Sequence, residues 1–131
     1  MNIETGLKGR ADSTVTPQNT ANAIGSGLVP VFATPHMIAL MEHAAVEAIQ
    51  PALGPEESSV GAQISVSHNS ATPIGMKVWA EAEVTAVDGR NITFSVTAFD
   101  EVGEIGSGTH KRVVLETEKF LNRTQAKLDN R

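Results

Sequence analysis

The stretch VFATPHMIALMEHAA, Val31–Ala45, decides the fold of this chain. Pro is favoured as the first residue of a helix and Thr as the cap before it, so Thr34-Pro35 marks a helix start. From there Met37, Leu40, Met41, Ala44, Ala45, Ala48 and Ile49 recur at i, i+3, i+4 and i+7. That period predicts a helix over 35–49 with one apolar face, stopped by Pro51 and Gly54. Glu42 falls two turns beyond Thr34, at the margin of that face.

Everything downstream alternates with period 2. Ser58–Thr72 carries Ile64, Val66 and His68 on one face and Gln63, Ser65, Ser67 and Asn69 on the other. Met76–Val87 sets Val78, Ala80, Ala82, Val84 and Ala86 against Trp79, Glu81, Glu83 and Thr85. A turn at Asp88-Gly89 leads to Asn91–Asp100, with Ile92, Phe94, Val96 and Ala98 on one face. Glu101–Gly103 turns the chain again before a last strand, Glu104–Glu116. Leu7–Thr16 reads as an edge strand ending at Pro17. Alternation of this kind belongs to an antiparallel sheet covered on one side, and the helix is the available cover. Gln18–Val31, rich in Asn, Ala, Gly and Ser, reads as a lid or loop with room for a short helical turn. Residues 1–6 are expected to fray. The charged tail 118–131 is expected to fray too, or to form a short surface helix.

Composition narrows the function classes. At 131 residues the chain is expected to be a single domain, 1–131, burying roughly two-thirds of its unfolded surface. Only Trp79, Phe32, Phe94, Phe99 and Phe120 are aromatic, so the core rests on Ala, Val, Ile and Leu, and a second subunit is expected to complete it. A net charge of −5 without a basic run argues against nucleic acid. The absence of cysteine excludes disulfides, thiolate zinc sites and a Cys nucleophile, and suits a reducing cytoplasm. Met1–Arg10 is polar, and no apolar stretch approaches the roughly 20 residues that span a bilayer.

Thr34, Glu42 and His68 together supply a hydroxyl, a carboxylate and an imidazole, the parts needed for nucleophilic or acid–base hydrolysis. Each also has a plainer role. Thr34 could serve only as a helix cap, worth about 1 kcal/mol. Glu42 could be a solvated flank of the apolar face, and His68 a satisfied core histidine. His110 and Arg112 share one face of the last strand with Lys111 on the other, and a basic pair at a strand end is usually solvated. His36 and His43 lie about 10 Å apart along the helix, too far to share one metal. His43 and Glu47 make an ordinary i, i+4 pair. The glycines of GEIGSGTH, Gly103–His110, precede a strand rather than a helix and lack a Lys-Ser/Thr ending, which sets them apart from a phosphate loop.

One helix against a meander of long antiparallel strands is the α+β layout of the hotdog fold. The stretches VFATPHMIALMEHAA, GAQISVSHNSATPIG (Gly61–Gly75) and GTHKRVV (Gly108–Val114) resemble the fluoroacetyl-CoA thioesterase-like group of hotdog proteins, over about 7–116. The resemblance implies a catalytic set of Thr34, Glu42 and His68. It implies that Gly61 lends a backbone amide near the thioester carbonyl and that Arg112 contacts the CoA portion. Gly75 fits the group's turn after the histidine strand. Phe32, the only phenylalanine near the lid, is assigned to the substrate site. The lid itself holds no aromatic residue, where fluoroacetyl-specific members carry them, so a strong preference for the fluorinated substrate is not expected. The resulting expectation is a homodimeric acyl-CoA thioesterase with no metal and no organic cofactor, acting on a short acyl thioester. Glu42 would be nucleophile or general base, with His68 as acid–base group. The alternatives are a non-catalytic acyl-CoA-binding hotdog protein and a hotdog dehydratase. A dehydratase is expected to carry a His on the first strand or loop, and the region before Phe32 has none.

Overall fold

A computed structural model describes residues 1–131. Five antiparallel strands form one sheet: β1 (Lys8–Thr14), β2 (Glu57–His68), β3 (Lys77–Asp88), β4 (Asn91–Asp100) and β5 (Glu104–Glu116). Their order across the sheet is β1-β3-β4-β5-β2, so β1 and β2 are its edges. A short turn of helix α1 (Ala21–Ile24) lies in the lid segment, and the main helix α2 (Thr34–Ile49) crosses the sheet's inner face. A last helix α3 (Thr117–Gln125) follows β5 and buries no residue.

Alternation decides which face meets α2. Val78, Ala80, Ala82 and Val84 of β3 are buried, as are Ile92, Phe94, Val96 and Ala98 of β4. Helix α2 answers with Met37, Leu40, Met41, Ala44, Ala45, Ala48 and Ile49, all buried. Full burial of a side chain such as Met37 or Ile49 is worth about 1.5–3 kcal/mol over exposure. The alanines on both sides let helix and sheet approach closely. The approach is tightest at Gly9 of β1, where a Cβ would run into the backbone of Ala44 and Ala48. The core therefore joins the expected small aliphatic residues to two methionines and Phe32 and Phe94.

Three expectations change in detail. Helix α2 begins one residue early, with Ala33 in the cap position and Thr34 already inside the first turn; no side chain caps it. Strand β2 stops at His68, and Asn69–Thr72 leave the sheet as a loop. Residues 1–6 do not fray: Asn2 N–H donates to the Ala52 carbonyl at 3.1 Å and Gly6 N–H to that of Val84 at 2.8 Å, while Ile3 packs on the core.

The two edges differ. β1 is seven residues long and carries Lys8, Arg10 and Asp12, the charges that guard an edge against further pairing. β2 is twelve residues long and has one charge, Glu57, at its start. Its inward residues Ile64 and Val66 are only half-buried.

Candidate active site

The N-terminal turn of α2 places Thr34 beside the end of β2. Thr34 Oγ1 and His68 Nδ1 are 2.7 Å apart, a hydrogen bond whose direction follows the ring's tautomer. No protein group pairs with the buried Nε2 of His68. Burial holds His68 below the ordinary histidine value, against a smaller upward pull from the Ser70 backbone. Burial thus favours the neutral ring, and Nε2 is the nitrogen left without a protein partner.

A cleft of about 230 Å³ opens here, lined by Phe32, Thr34, His68 and the loop Asn69–Ala71 together with Ala21, Ser26 and Val31 of the lid. Phe32 is buried and its N–H donates to the Thr72 carbonyl at 2.9 Å. Thr72 is in turn anchored below: its hydroxyl donates to Asp100 Oδ2 at 2.8 Å, while Oδ1 accepts the N–H groups of Val102 and Gly103. Burial pushes the Asp100 carboxyl up, but these hydrogen bonds together outweigh it and hold it below the usual range. A buried ionised carboxylate therefore ties the loop after His68 to the lid and to the β4–β5 turn.

Glu42 stands two turns along α2, about 12 Å from Thr34 along the axis. Its side chain is 39% exposed and its Oε2 lies 3.3 Å from Nη1 of Arg112, which is 7% exposed. The guanidinium is braced on its other edge, where Nε donates to Ser59 Oγ at 2.9 Å and Nη2 to the Ser59 carbonyl at 3.0 Å. Burial pulls Arg112 below its ordinary value and the Glu42 charge pulls it back. Gly61 pairs with Arg112 across β2 and β5 and lies against the carboxylate: a Cβ there would come within 2.5 Å of Glu42 Oε2. A register shift between Gly61 and Gln63 leaves Ala62 as an extra residue, so Gly61 and His68 face the same side despite their odd and even numbers.

The structure thus joins Thr34 to His68 and Glu42 to Gly61 and Arg112, as two separate pairings within one chain. Arg112 and His110 are buried inward rather than solvated. Sequence reasoning missed Ser59 and gave His110 no task. The available signal was parity: an inward basic pair beside buried Val114 needs a carboxylate, and of the two on α2, Glu42 borders the inward face while Glu47 is exposed beside His43.

A five-stranded antiparallel sheet curled around one helix is the layout of the hotdog class of α+β proteins. A hot-dog-like protein from Thermanaerovibrio acidaminovorans superposes with a TM-score of 0.85 at 24% identity, covering 95% of this chain and 93% of its own. The family model for the fluoroacetyl-CoA-specific thioesterase matches residues 15–118. The fluoroacetyl-CoA thioesterase of Streptantibioticus cattleyicolor is 48% identical over 97 residues, 74% of this chain and 70% of that protein. A solved structure of a fluoroacetyl-CoA thioesterase matches at 39% identity and a TM-score of 0.90, covering 97% of this chain and 98% of its own. This chain belongs to the fluoroacetyl-CoA-specific thioesterase family.

Proposed function

We propose that this protein is an acyl-CoA thioesterase that works as a two-fold dimer. Its site joins Thr34 and His68 of one subunit to Glu42, Gly61 and Arg112 of the partner subunit. The observation that carries this reading is a double coincidence of symmetry. Thr34, Ile38 and Glu42 form one stripe of α2 at equal spacing, with half-buried Ile38 in the middle. Two such helices crossing antiparallel about Ile38 set Thr34 against Glu42 of the partner subunit. The open, nearly uncharged edge of β2 behaves the same way. Paired with its own copy about Ser65, it matches Val66 with Ile64 and brings His68 opposite the Gly61–Ala62 irregularity of the partner subunit. A single two-fold axis through both would cover the edge and the half-buried Ile64 and Val66.

In this arrangement the thioester carbonyl lies between the Gly61 amide and the Thr34–His68 pair. The amide, with nothing but hydrogen on its Cα, stabilises the oxyanion as it forms. Glu42 supplies the attack, on the carbonyl directly or by taking a proton from water. With Thr34 donating to Nδ1, the His68 Nε2–H gives its proton to the leaving thiolate as the C–S bond breaks, and the proton lost by the attacking water restores it. Arg112 holds the carboxylate in place through their ion pair. The lid residues Ile24, Leu28 and Val29 are aliphatic and exposed, suited to a short or medium acyl chain without fluorine selectivity. A CoA ester substrate accords with the cytoplasmic setting expected from the composition.

Subunit mixing tests this directly. Glu42→Gln and His68→Ala chains, each inactive alone, are co-assembled and assayed by thiol release from acetyl-, fluoroacetyl-, butyryl- and hexanoyl-CoA. Random assembly makes half the dimers mixed, each with one complete site, so about a quarter of wild-type turnover should return. No recovery in demonstrably mixed dimers would show that each site is built from one chain. Binding of these esters by the wild type without thiol release would leave a ligand-binding protein in place of an enzyme.

A further inference from the structure

His110 is buried at 1% exposure and has no part in the chemistry just described. Its ring stacks on Phe94, with centroids 5.8 Å apart. Nδ1 lies 2.8 Å from the carbonyl oxygen of Gln63. A carbonyl can only accept, so Nδ1 must carry the hydrogen. Nε2 lies 3.1 Å from Nη1 of Arg112. A guanidinium can only donate, so Nε2 must be bare. Two independent contacts thus select one state of the ring, the neutral Nδ1–H tautomer.

The same Nη1 also faces Glu42 Oε2. A guanidinium nitrogen of this kind has two hydrogens in a fixed planar fork. When one is accepted by His110, the other is directed at the carboxylate. Ser59 grips the far edge of the guanidinium, and His110 is the acceptor that braces the near one beside Glu42. Gln63, which anchors His110, follows the irregularity next to Gly61. The series Gln63 carbonyl, His110, Arg112 and Glu42 therefore ties the carboxylate to the stretch of β2 that offers the Gly61 amide.

We propose that His110 is a positioning residue for Glu42, acting through Arg112 as a neutral acceptor that fixes the guanidinium's aim. The proposal rests on the thioesterase reading for its effect on rate, but not for the state of the ring. Burial, helped by the Arg112 charge, opposes protonation of His110, while the Gln63 carbonyl and Glu42 favour it less strongly. A protonated ring would turn an N–H toward the guanidinium and break the alignment.

The test has two arms. Long-range 1H–15N NMR of the wild-type protein at about pH 7 should show His110 neutral with the hydrogen on Nδ1. The other tautomer, or a charged ring, would overturn the proposal whether or not the protein hydrolyses any thioester. In the kinetic arm, His110→Phe keeps the ring stack and removes the acceptor. His110→Gln keeps an amide oxygen for Arg112 and an N–H for Gln63. The Phe variant should lose about 10- to 100-fold in kcat, the cost of a misaimed catalytic group, with KM changed by less than about threefold. The Gln variant should recover most of that loss. In the double variant with Arg112→Lys, the two losses should fall well short of adding, because both act on one contact. Equal losses in the Phe and Gln variants, or full additivity, would mean that His110 serves packing alone. A wild type inactive on every acyl-CoA tested would remove the thioesterase reading and leave the NMR result to judge the tautomer.

Discussion

At the start of α2, Thr34 is exposed and reaches His68 through a single hydrogen bond of 2.7 Å, in a cleft bordered by the lid. Two turns on, Glu42 meets an arginine that is itself held by Ser59 twice and by His110. The first half of the site is a pair that can adjust when a substrate enters. The second is a polar network anchored on buried Arg112 and His110, in which the guanidinium is held from both edges, the arrangement that resists displacement. Chemistry that depends on aim should be concentrated in the second half, and tolerance of substitution at Thr34 in the first.

The hardest test of that contrast is Glu42→Gln. The amide still accepts from Arg112, so the fold should hold, while turnover falls by about 10²-fold or more. Near wild-type turnover with an unchanged melting temperature would show that the braced half is structural. Next in size is Gly61→Ala. Its Cβ would push on Glu42 Oε2, a side-chain tip that can move, so the expected loss is in kcat, about 10- to 100-fold, with little change in Tm. An unchanged kcat would mean that Glu42 works from a position Gly61 does not border.

Thr34→Ala should do less, on the order of tenfold in kcat, with Thr34→Ser restoring most of it. Because Ala33 rather than Thr34 occupies the cap position, stability should change by less than about 0.5 kcal/mol. A drop near 1 kcal/mol by denaturant titration would give Thr34 the capping role that the structure denies it.

The smallest effect is in pH. His68 and His110 both sit below the ordinary histidine value of 6.5 when folded. Between that value and their folded ones the unfolded chain binds protons that the folded chain does not. Stability therefore rises with pH across this window, is complete above it and is lost as pH falls through it. Tm should be level above about pH 7 and decline as pH drops toward about 5. His110→Gln should flatten part of the decline. A Tm independent of pH over this range would contradict the burial of both rings.

Much of this molecule is legible in its residues. The period of Met37–Ile49 places the helix to within a residue, and alternation locates β4 and β5 at their observed bounds. Thr34, Glu42 and His68 stand out because a hydroxyl, a carboxylate and an imidazole recur on faces that are otherwise apolar. Less legible was the part each plays toward its neighbours. Thr34-Pro35 has the form of a cap followed by a first helical residue, yet the isolated bridge between Thr20 and Phe32 and the Phe32–Thr72 hydrogen bond draw the preceding chain in and start the helix earlier. His110 and Arg112 look like a solvated pair until β2 is laid beside β5.

By itself the sequence determined which residues point inward, because the helical and extended periods are properties of the local backbone. It placed charges on β1 and left β2 nearly without them, while the strand order made β2 the second edge. Only the tertiary structure decided which long side chains meet. The register of β2 on β5 brings Ser59, Gln63, His110 and Arg112 together, and the extra residue at Ala62 reverses the parity of the strand so that Gly61 and His68 share a face. Register and irregularity are settled by packing between segments some fifty residues apart, where a one-residue slip exchanges the two faces of a strand and no local period records it.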